Sequence, residues 1–479
     1  MIKNVLLISP PAFTFKSSVD INPLPPMGMG YIAAVLKKYG YNVAIIDSLG
    51  LGWGTRQVVQ NDIIRIGLSD IEISDYIEKI KPDVVGVSNL FSKQFYNALN
   101  IAKIVKKTNS NITTVFGGAH PSADPYSVMA HPEIDAVVEG EGEYPFLKYL
   151  QFLNDKLSES ELESIYIRKN GQVRFFERKS WIDLDDLPWP TYDQMNLDIY
   201  FGLNSSHGER RHEKFLPMIT SRGCPYKCTF CTAYKVWGKK FRTRDVDDVI
   251  SEMKFIKKEY GIKEIMFEDD NTTLNVKRAK RLFNKMIEEK LDFEWDTPNG
   301  VAAFALDNEV LDVMKQAGCY KVNLAIESGN EEHLKYNIKK PVKLKRVVEL
   351  VKHCQKINLS VGTFLVFGIP GETEKMVWDS IRFVKNMKIY TPFISIATPY
   401  PGSELFNLCK DKGYLKNDFS IDDLYIRSFS ISTPELPAKK LKNILKWARA
   451  YLIFFYIINH PISATRRVFG KILRMVINK

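Results

Sequence analysis

Two series of short, continuously apolar runs, each run followed by a stretch of helical periodicity, account for most of this chain. In the first series the runs are Val5–Ile8, Asn42–Asp47, Asp83–Ser88, Thr113–Gly118 and Ala136–Gly140, with a helical pattern from Gly28 to Tyr39 between the first two. A strand apolar on both faces is covered on both faces, and helices between successive strands supply the cover. The pattern therefore predicts an α/β, doubly wound parallel sheet of flavodoxin or Rossmann type over residues 1–150. Residues 151–214 read as a connector, with a hairpin-like stretch from Ile165 to Phe176 and a Pro/Asp-rich run from Asp183 to Pro190. That composition shift suits a domain boundary. In the second series the runs are Leu216–Thr220, Glu264–Phe267, Phe293–Asp296, Lys321–Ile326, Val361–Phe367 and Phe393–Ala397, with helical patterns such as Asp247–Lys258 and Val342–Lys356 in the gaps. Six strand–helix units predict a partial (β/α)6 barrel over 215–415, not a full eight-unit one. A helical segment, 416–479, completes the chain.

Ligands of both kinds of sheet sit beyond the carboxyl ends of the strands. In the first series those ends carry Ser9-Pro10-Pro11, Ser88-Asn89, Gly117-Gly118-Ala119-His120-Pro121 and Glu139-Gly140-Glu141-Gly142-Glu143. Glycines there let a large planar or phosphate-bearing ligand approach the backbone. In the second series the first strand runs directly into Cys224-Pro225-Tyr226-Lys227-Cys228-Thr229-Phe230-Cys231. Three thiolates in a C-x3-C-x2-C loop can hold three irons of a [4Fe–4S] cluster and leave the fourth open to a substrate. A structural zinc site is the plainer alternative, but it wants a fourth ligand, and the nearest upstream histidine, His212, lacks the usual spacing. Cys319, Cys354 and Cys409 are scattered and fit ordinary buried thiols.

Composition narrows the picture further. The chain of 479 residues is long enough for two or three domains, and its six cysteines, three of them clustered, suit a metal site in a reducing cytoplasm, not a disulfide scaffold. Met1-Ile2-Lys3-Asn4 leads into a strand with no cleavage pattern, so a cytoplasmic protein is expected. The net charge of +11 is local: Leu436 to Lys479 holds ten Lys or Arg and no acid, and subtracting these from +11 leaves +1. A nucleic-acid-binding role for the whole protein loses its support. In that tail Leu441, Ile444, Leu445, Ala448, Tyr451, Leu452 and Phe455 recur at helical spacing among Lys440, Lys442, Lys446 and Arg449. After His460-Pro461, a second helix is expected from Ser463 to Ile477. A basic amphipathic pair of this kind suits either an anionic membrane surface or docking on the barrel with its lysines in water.

The second half resembles the radical S-adenosylmethionine (SAM) enzymes, whose signature is the C-x3-C-x2-C loop. The resemblance implies a [4Fe–4S] cluster on Cys224, Cys228 and Cys231, with SAM chelating the open iron and Phe230 bordering the adenine. Ala325-Ile326-Glu327-Ser328-Gly329 looks like the fourth-strand motif, which places Glu327 and Ser328 at SAM. Phe367-Gly368-Ile369-Pro370-Gly371-Glu372-Thr373 and Thr398-Pro399-Tyr400-Pro401-Gly402-Ser403 resemble the fifth- and sixth-strand turns, which adds Gly368, Pro370, Gly371 and Tyr400. Each of these taken singly also fits a strand-to-helix turn with a helix cap. The Gly-Gly-Glu-Pro motif of many relatives is replaced by Phe267-Glu268-Asp269-Asp270-Asn271, which leaves open which carboxylate faces SAM.

The first half resembles the cobalamin-binding domain fused to one subclass of these enzymes, which implies cobalamin contacts at Ser9, Ser88, Gly117, Gly118, His120, Glu139 and Gly140. The Asp-x-His-x-x-Gly cobalt-ligand motif is absent. Cobalamin with its lower base displaced and no histidine on cobalt is therefore expected. Together the resemblances imply a cobalamin-dependent radical SAM methyltransferase, working on an unactivated carbon or phosphorus centre through a 5′-deoxyadenosyl radical and methylcobalamin. Oxidative cyclisation or rearrangement without methyl transfer is the alternative within the family, and a redox or light sensor the more distant one. The expected partners are a small-molecule or lipid-like substrate and an electron donor such as ferredoxin or flavodoxin, with peripheral membrane contact through the tail.

Overall fold

The computed structural model describes residues 1–16, 23–60, 63–203, 206–424 and 428–461. The first sheet contains β1 (Asn4–Ser9), β2 (Asn42–Asp47), β3 (Val84–Ser88), β4 (Thr113–Gly117), β5 (Ala136–Val138), β6 (Ile165–Lys169) and β7 (Gln172–Phe176). Its order is β7-β6-β5-β4-β3-β1-β2. The five parallel strands thus run 2-1-3-4-5, the flavodoxin-like arrangement, with the order reversing between β1 and β3. Alternation along each strand fills two separate cores. Leu6, Ile8, Val85, Val87, Phe116 and Val137 pack on one face, and Val5, Leu7, Val84, Val115, Ala136 and Val138 on the other. Both faces are covered, as the continuous apolar runs require. The hairpin β6–β7 extends this sheet, because β6 pairs antiparallel with β5, Val138 facing Ile165. A small antiparallel sheet of Ala12–Phe15, Arg56–Gln60 and Ile63–Ile66 lies outside the main one.

The second sheet contains β8 (Phe215–Met218), β9 (Glu264–Phe267), β10 (Glu294–Asp296), β11 (Cys319–Glu327), β12 (Ser360–Phe367) and β13 (Phe393–Ile396). These pair in chain order and all in parallel. The sheet is an open half-barrel with a helix after each strand. Trp295 of β10 is fully buried on the helical side, stacked on Phe283 at 4.7 Å and edge-on to Phe267 at 5.1 Å. Strand alternation then turns Glu294 and Asp296 to the barrel interior.

The helix Ala438–Asn459 docks on the barrel. Leu441, Ile444, Leu445, Ala448 and Leu452 are buried in its core, Lys440 pairs with Glu374 at 2.8 Å, and Tyr451 meets Trp378 edge-on. The second helix expected at 463–477 lies outside the described residues. Among the described residues no helix is long and apolar enough to cross a membrane.

Candidate cofactor site

The cysteine loop is held from below by one carboxylate. Oδ1 of buried Asp269, just past β9, accepts hydrogen bonds from the Thr220 amide and hydroxyl, each 3.0 Å, and from the Ser221 hydroxyl. The chain then turns at Gly223 with φ +90°, where a Cβ would stand 2.3 Å from the Lys240 carbonyl oxygen. Further along, Thr229 is pinned to a five-residue π-helical turn, Leu334–Ile338. Its amide donates to Ile338 O at 3.1 Å and its hydroxyl to Asn337 O at 2.9 Å. Such turns recur at functional sites. Cys224, Cys228 and Cys231 are free and half-buried, and Cys231 Sγ accepts from the Ala233 amide at 3.4 Å. Burial pushes the Cys228 thiol up to about 11 and Cys231 to about 12. A metal taken up here must therefore displace protons.

Around this loop the strand ends converge. Glu327, at the end of β11, adopts φ +69°. Its carboxylate meets Lys340 Nζ at 2.7 Å, with both side chains at most 10% exposed. Burial opposes the Lys340 charge, but Glu327 and then Cys228 outweigh it and hold the ammonium above the ordinary lysine range. The Ser328 hydroxyl is used within the turn, 3.1 Å from Ser380 Oγ and accepting from Asn330 N at 3.2 Å. Beyond β12, Gly368 and Gly371 have φ +92° and +87°, and Pro370 O accepts from Asn337 Nδ2 at 3.1 Å. Tyr400 forms the turn after β13, its carbonyl accepting from the Ser403 hydroxyl at 2.7 Å. Phe230 packs, half-buried, against the barrel core.

The carboxylates after β9 separate by surroundings. Glu268 meets His207 at 2.9 Å and Asn299 Nδ2 at 3.0 Å. Asp269 clamps the loop. Asp270 has a buried Oδ2 with no partner, and its charge acts on Cys224 and Cys231.

At the other sheet, Ser88, Gly117, Gly118 and His120 gather at the ends of β3 and β4. A Cβ on Gly118 (φ +113°) would lie 2.6 Å from Asn89 O, whereas Gly117 faces open space. Leu90 and Phe91, which follow Asn89, are 58% and 59% exposed, an apolar edge suited to a flat ligand. His120 is buried with both ring nitrogens unpartnered, its ring 5.1 Å from that of Phe95, and burial holds it down at about 4. The remaining expected contacts have partners within the protein; the Gly140 amide donates to Ser122 of the His120 loop at 2.8 Å. Ser9 bonds Asp47, which also accepts from Tyr200 of the connector at 2.5 Å. The Glu139 carbonyl accepts from Arg178 at 2.7 Å, and a Cβ on Gly140 would meet Val236 O at 2.9 Å, so these two border the barrel.

The two carboxyl edges face each other. Arg222, two residues before Cys224, spans to Glu141 and Glu143 after β5 at 2.8 and 2.7 Å, and Arg242 reaches Glu141 at 2.9 Å. The short helix Ala119–Ala123 packs against Ala233–Trp237, just past the cysteines.

Family models match this architecture: the Radical SAM superfamily over residues 218–384 and the B12 binding domain over 21–150. The cytidylyl-2-hydroxyethylphosphonate methyltransferase of Streptomyces wedmorensis is 34% identical over 465 residues, spanning 91% of this chain and 86% of that protein. The chain belongs to the radical SAM superfamily, in the branch that carries a B12 binding domain. It is similar more distantly to the anaerobic magnesium-protoporphyrin IX monomethyl ester cyclase of Rubrivivax gelatinosus, 26% identical over 81% of this chain and 67% of the cyclase. In fold it matches the cobalamin-dependent SAM radical enzyme OxsB, with a TM-score of 0.71 and 14% identity over 99% of this chain and 75% of OxsB.

As a radical SAM enzyme it uses a [4Fe–4S] cluster, SAM and cobalamin. The residues present fit these groups. His212, the nearest upstream histidine, is 2.7 Å from Glu294 and is engaged away from the cysteine loop. A cubane takes each thiolate at a separate iron. The unpartnered Oδ2 of Asp270 suits an ammonium group, and the open Gly117 edge with its apolar rim suits a corrin. Arg242, Lys340 and His333 are not singled out by the sequence, and Arg222 and Glu372 stand only as members of longer motifs.

Proposed function

We propose that this radical SAM enzyme is a methyltransferase that modifies an unactivated carbon or phosphorus centre of a small molecule. The observation that carries it is the Arg222 bridge to Glu141 and Glu143, which holds the cysteine loop against the β5 edge of the cobalamin-binding sheet. When bound, the cluster and SAM supply one-electron C–S cleavage, and cobalamin carries the methyl group. The chain's own residues position these groups. Asp270 would accept from the SAM ammonium in a charge-assisted pair, Lys340 neutralises Glu327, and Gly117, which faces open space, would admit the corrin to the backbone. The buried Arg222 bridge fixes the two edges at a set separation, so groups bound on each are brought together. The substrate class to test first is a cytidylylated phosphonate, the kind named for the Streptomyces relative.

Reduced, reconstituted protein given SAM and that substrate should yield both S-adenosylhomocysteine and 5′-deoxyadenosine. The cyclase-like relative favours a second reading, cyclisation or rearrangement, in which only 5′-deoxyadenosine forms. Anaerobically purified protein that keeps no cobalamin would sink the assignment of the first sheet. An external one-electron donor of the ferredoxin or flavodoxin kind completes the scheme. The exposed Trp447, Ile453, Phe454, Ile457 and Ile458 on the docked basic helix support peripheral contact with an anionic membrane.

A further inference from the structure

Beside the cysteine loop, on the outer surface, lies a pocket of about 590 Å³ whose wall includes Pro225, Tyr226 and Lys227, the residues between the first two cysteines. Four exposed lysines ring it: Lys227, Lys335, Lys339 and Lys343. Glu331 also lines it, but its carboxylate accepts from the Leu344 amide at 3.3 Å, and Lys339 meets Glu404 across the rim. Tyr336, on the same π-helical turn as Lys335, is 62% exposed, with the Lys335 ammonium 4.7 Å from its ring centre. The exposed tyrosine offers an aromatic anchor, and the lysines around it give the face a positive field.

The patch is joined to the site within. The turn that presents Lys335 and Tyr336 outward gives the carbonyls of Asn337 and Ile338 to Thr229 of the cysteine loop. Lys340 forms part of the pocket wall while its ammonium reaches Glu327 inside. The chain's other cysteines, Cys319, Cys354 and Cys409, are buried free thiols outside the loop.

Building on the radical SAM assignment, we propose that this lysine-ringed pocket is the docking site of an acidic one-electron donor protein. The step served is a single electron transfer: the donor is oxidised by one electron, the group held by Cys224, Cys228 and Cys231 is reduced by one, and no bond or proton changes hands at the surface. Opposite charge brings the donor to the face of the loop where the path to the cysteines is short, and accelerates encounter at low ionic strength.

The test uses the full-length, cluster-loaded protein and an acidic [2Fe–2S] ferredoxin as probe. Carbodiimide cross-linking, which joins lysine amines to donor carboxylates directly, should capture Lys227, Lys335, Lys339 and Lys343. The double variant Lys335→Glu/Lys343→Glu should raise the ferredoxin Kd by about tenfold at low salt, with wild-type and variant converging at high salt. Bleaching of the cluster by dithionite, which needs no docking, should be unchanged in the variant. Cross-links confined to Lys439, Lys442 and Lys446 of the C-terminal helix, or an unchanged Kd, would overturn the proposal. So would a pocket that takes up inorganic phosphate while ferredoxin affinity ignores the variant. A wild-type protein that dithionite reduces but that never cleaves SAM would overturn the enzyme assignment instead, so the two failures are told apart.

Discussion

Nε2 of His333 lies 3.7 Å from Oε1 of Glu372, and both side chains are fully enclosed. Their protonation follows from their neighbours. Asn337 Nδ2 donates to Pro370 O at 3.1 Å, which turns Asn337 Oδ1 toward His333 and makes His333 Nδ1 the donor at 3.1 Å. His333 Nε2 is then a bare acceptor facing Glu372. Burial holds His333 down at about 4 and lifts Glu372 to about 8, so the pair is neutral near pH 7 and the Glu372 proton belongs on the side of His333. Glu372 Oε2 accepts from the Gly368 amide at 2.6 Å. The network therefore ties the β12 turn to the π-helical turn under the cysteine loop.

From this a pH dependence follows. Between about pH 6.5 and 8 the folded chain keeps a proton on Glu372 that the unfolded chain has lost, so stability falls as pH rises, by at most about 1.4 kcal/mol per unit. From about pH 4.5 to 6.5 His333 acts in the opposite direction, because the unfolded chain binds a proton there that the folded chain refuses, and the two effects nearly cancel. Glu372→Gln can still accept from the Gly368 amide and cannot ionise. Urea midpoints measured at pH 6.5 and pH 8 should lie closer together in this variant than in the wild type, the remainder coming from groups such as Asp296, which burial lifts to about 7; equal separation in both rules the account out.

The Arg222 bridge makes a stability prediction. Arg222, Glu141 and Glu143 are at most 5% exposed, so removing one partner strands a buried charge. Glu141→Ala also abandons Arg242. It should cost about 3–5 kcal/mol and open the connector to limited proteolysis, leaving an N-terminal fragment that still binds cobalamin. Wild-type unfolding and protease resistance in Glu141→Ala would show that the bridge does not join the halves.

The cysteines divide by position. Substituting Ala for Cys224, Cys228 or Cys231 should abolish bound iron and SAM cleavage while leaving cobalamin in place. Cys409→Ala, a fully buried thiol in the barrel core, should keep its iron. Iron content and visible absorption of reconstituted protein check this, and iron retained in any of the first three variants would exclude that thiol as a ligand.

What the sequence could and could not disclose follows from the range of each signal. β9 and β2 appear at the residues their apolar runs marked, and the other main strands within a few, because alternation and burial are local properties. The cysteine loop is legible for the same reason. Arg222 and Glu141 are 81 positions apart, and His333 and Glu372 are 39 apart on different elements, so only the folded chain pairs them. The strands Arg56–Gln60 and Ile63–Ile66 mix charged and apolar residues over four or five positions, too few to establish a period. The tail's helical period was clear, yet nothing in it distinguished a membrane from the barrel. The burial of Leu441, Ile444 and Leu445 against the helix Glu374–Asn386 docks one face of the first helix on the barrel and leaves the other exposed.

Glu268, Asp269 and Asp270 are adjacent in the chain and equivalent in composition, and their surroundings predict three different outcomes. Asp270→Asn removes the unpartnered buried oxygen proposed to receive the SAM ammonium. A lost charge-assisted hydrogen bond of about 1.5–3 kcal/mol corresponds to roughly ten- to a hundredfold weaker SAM binding, with iron and cobalamin retained. Asp269→Asn loosens the clamp on Thr220 and Ser221, so iron should be lost along with SAM. Glu268→Gln can still bond His207 and Asn299 and should leave SAM affinity within a few-fold of wild type. Equilibrium dialysis of SAM against the iron-loaded variants, with iron assayed in parallel, separates the three. If Glu268→Gln weakens SAM binding and Asp270→Asn does not, the ammonium contact belongs to Glu268.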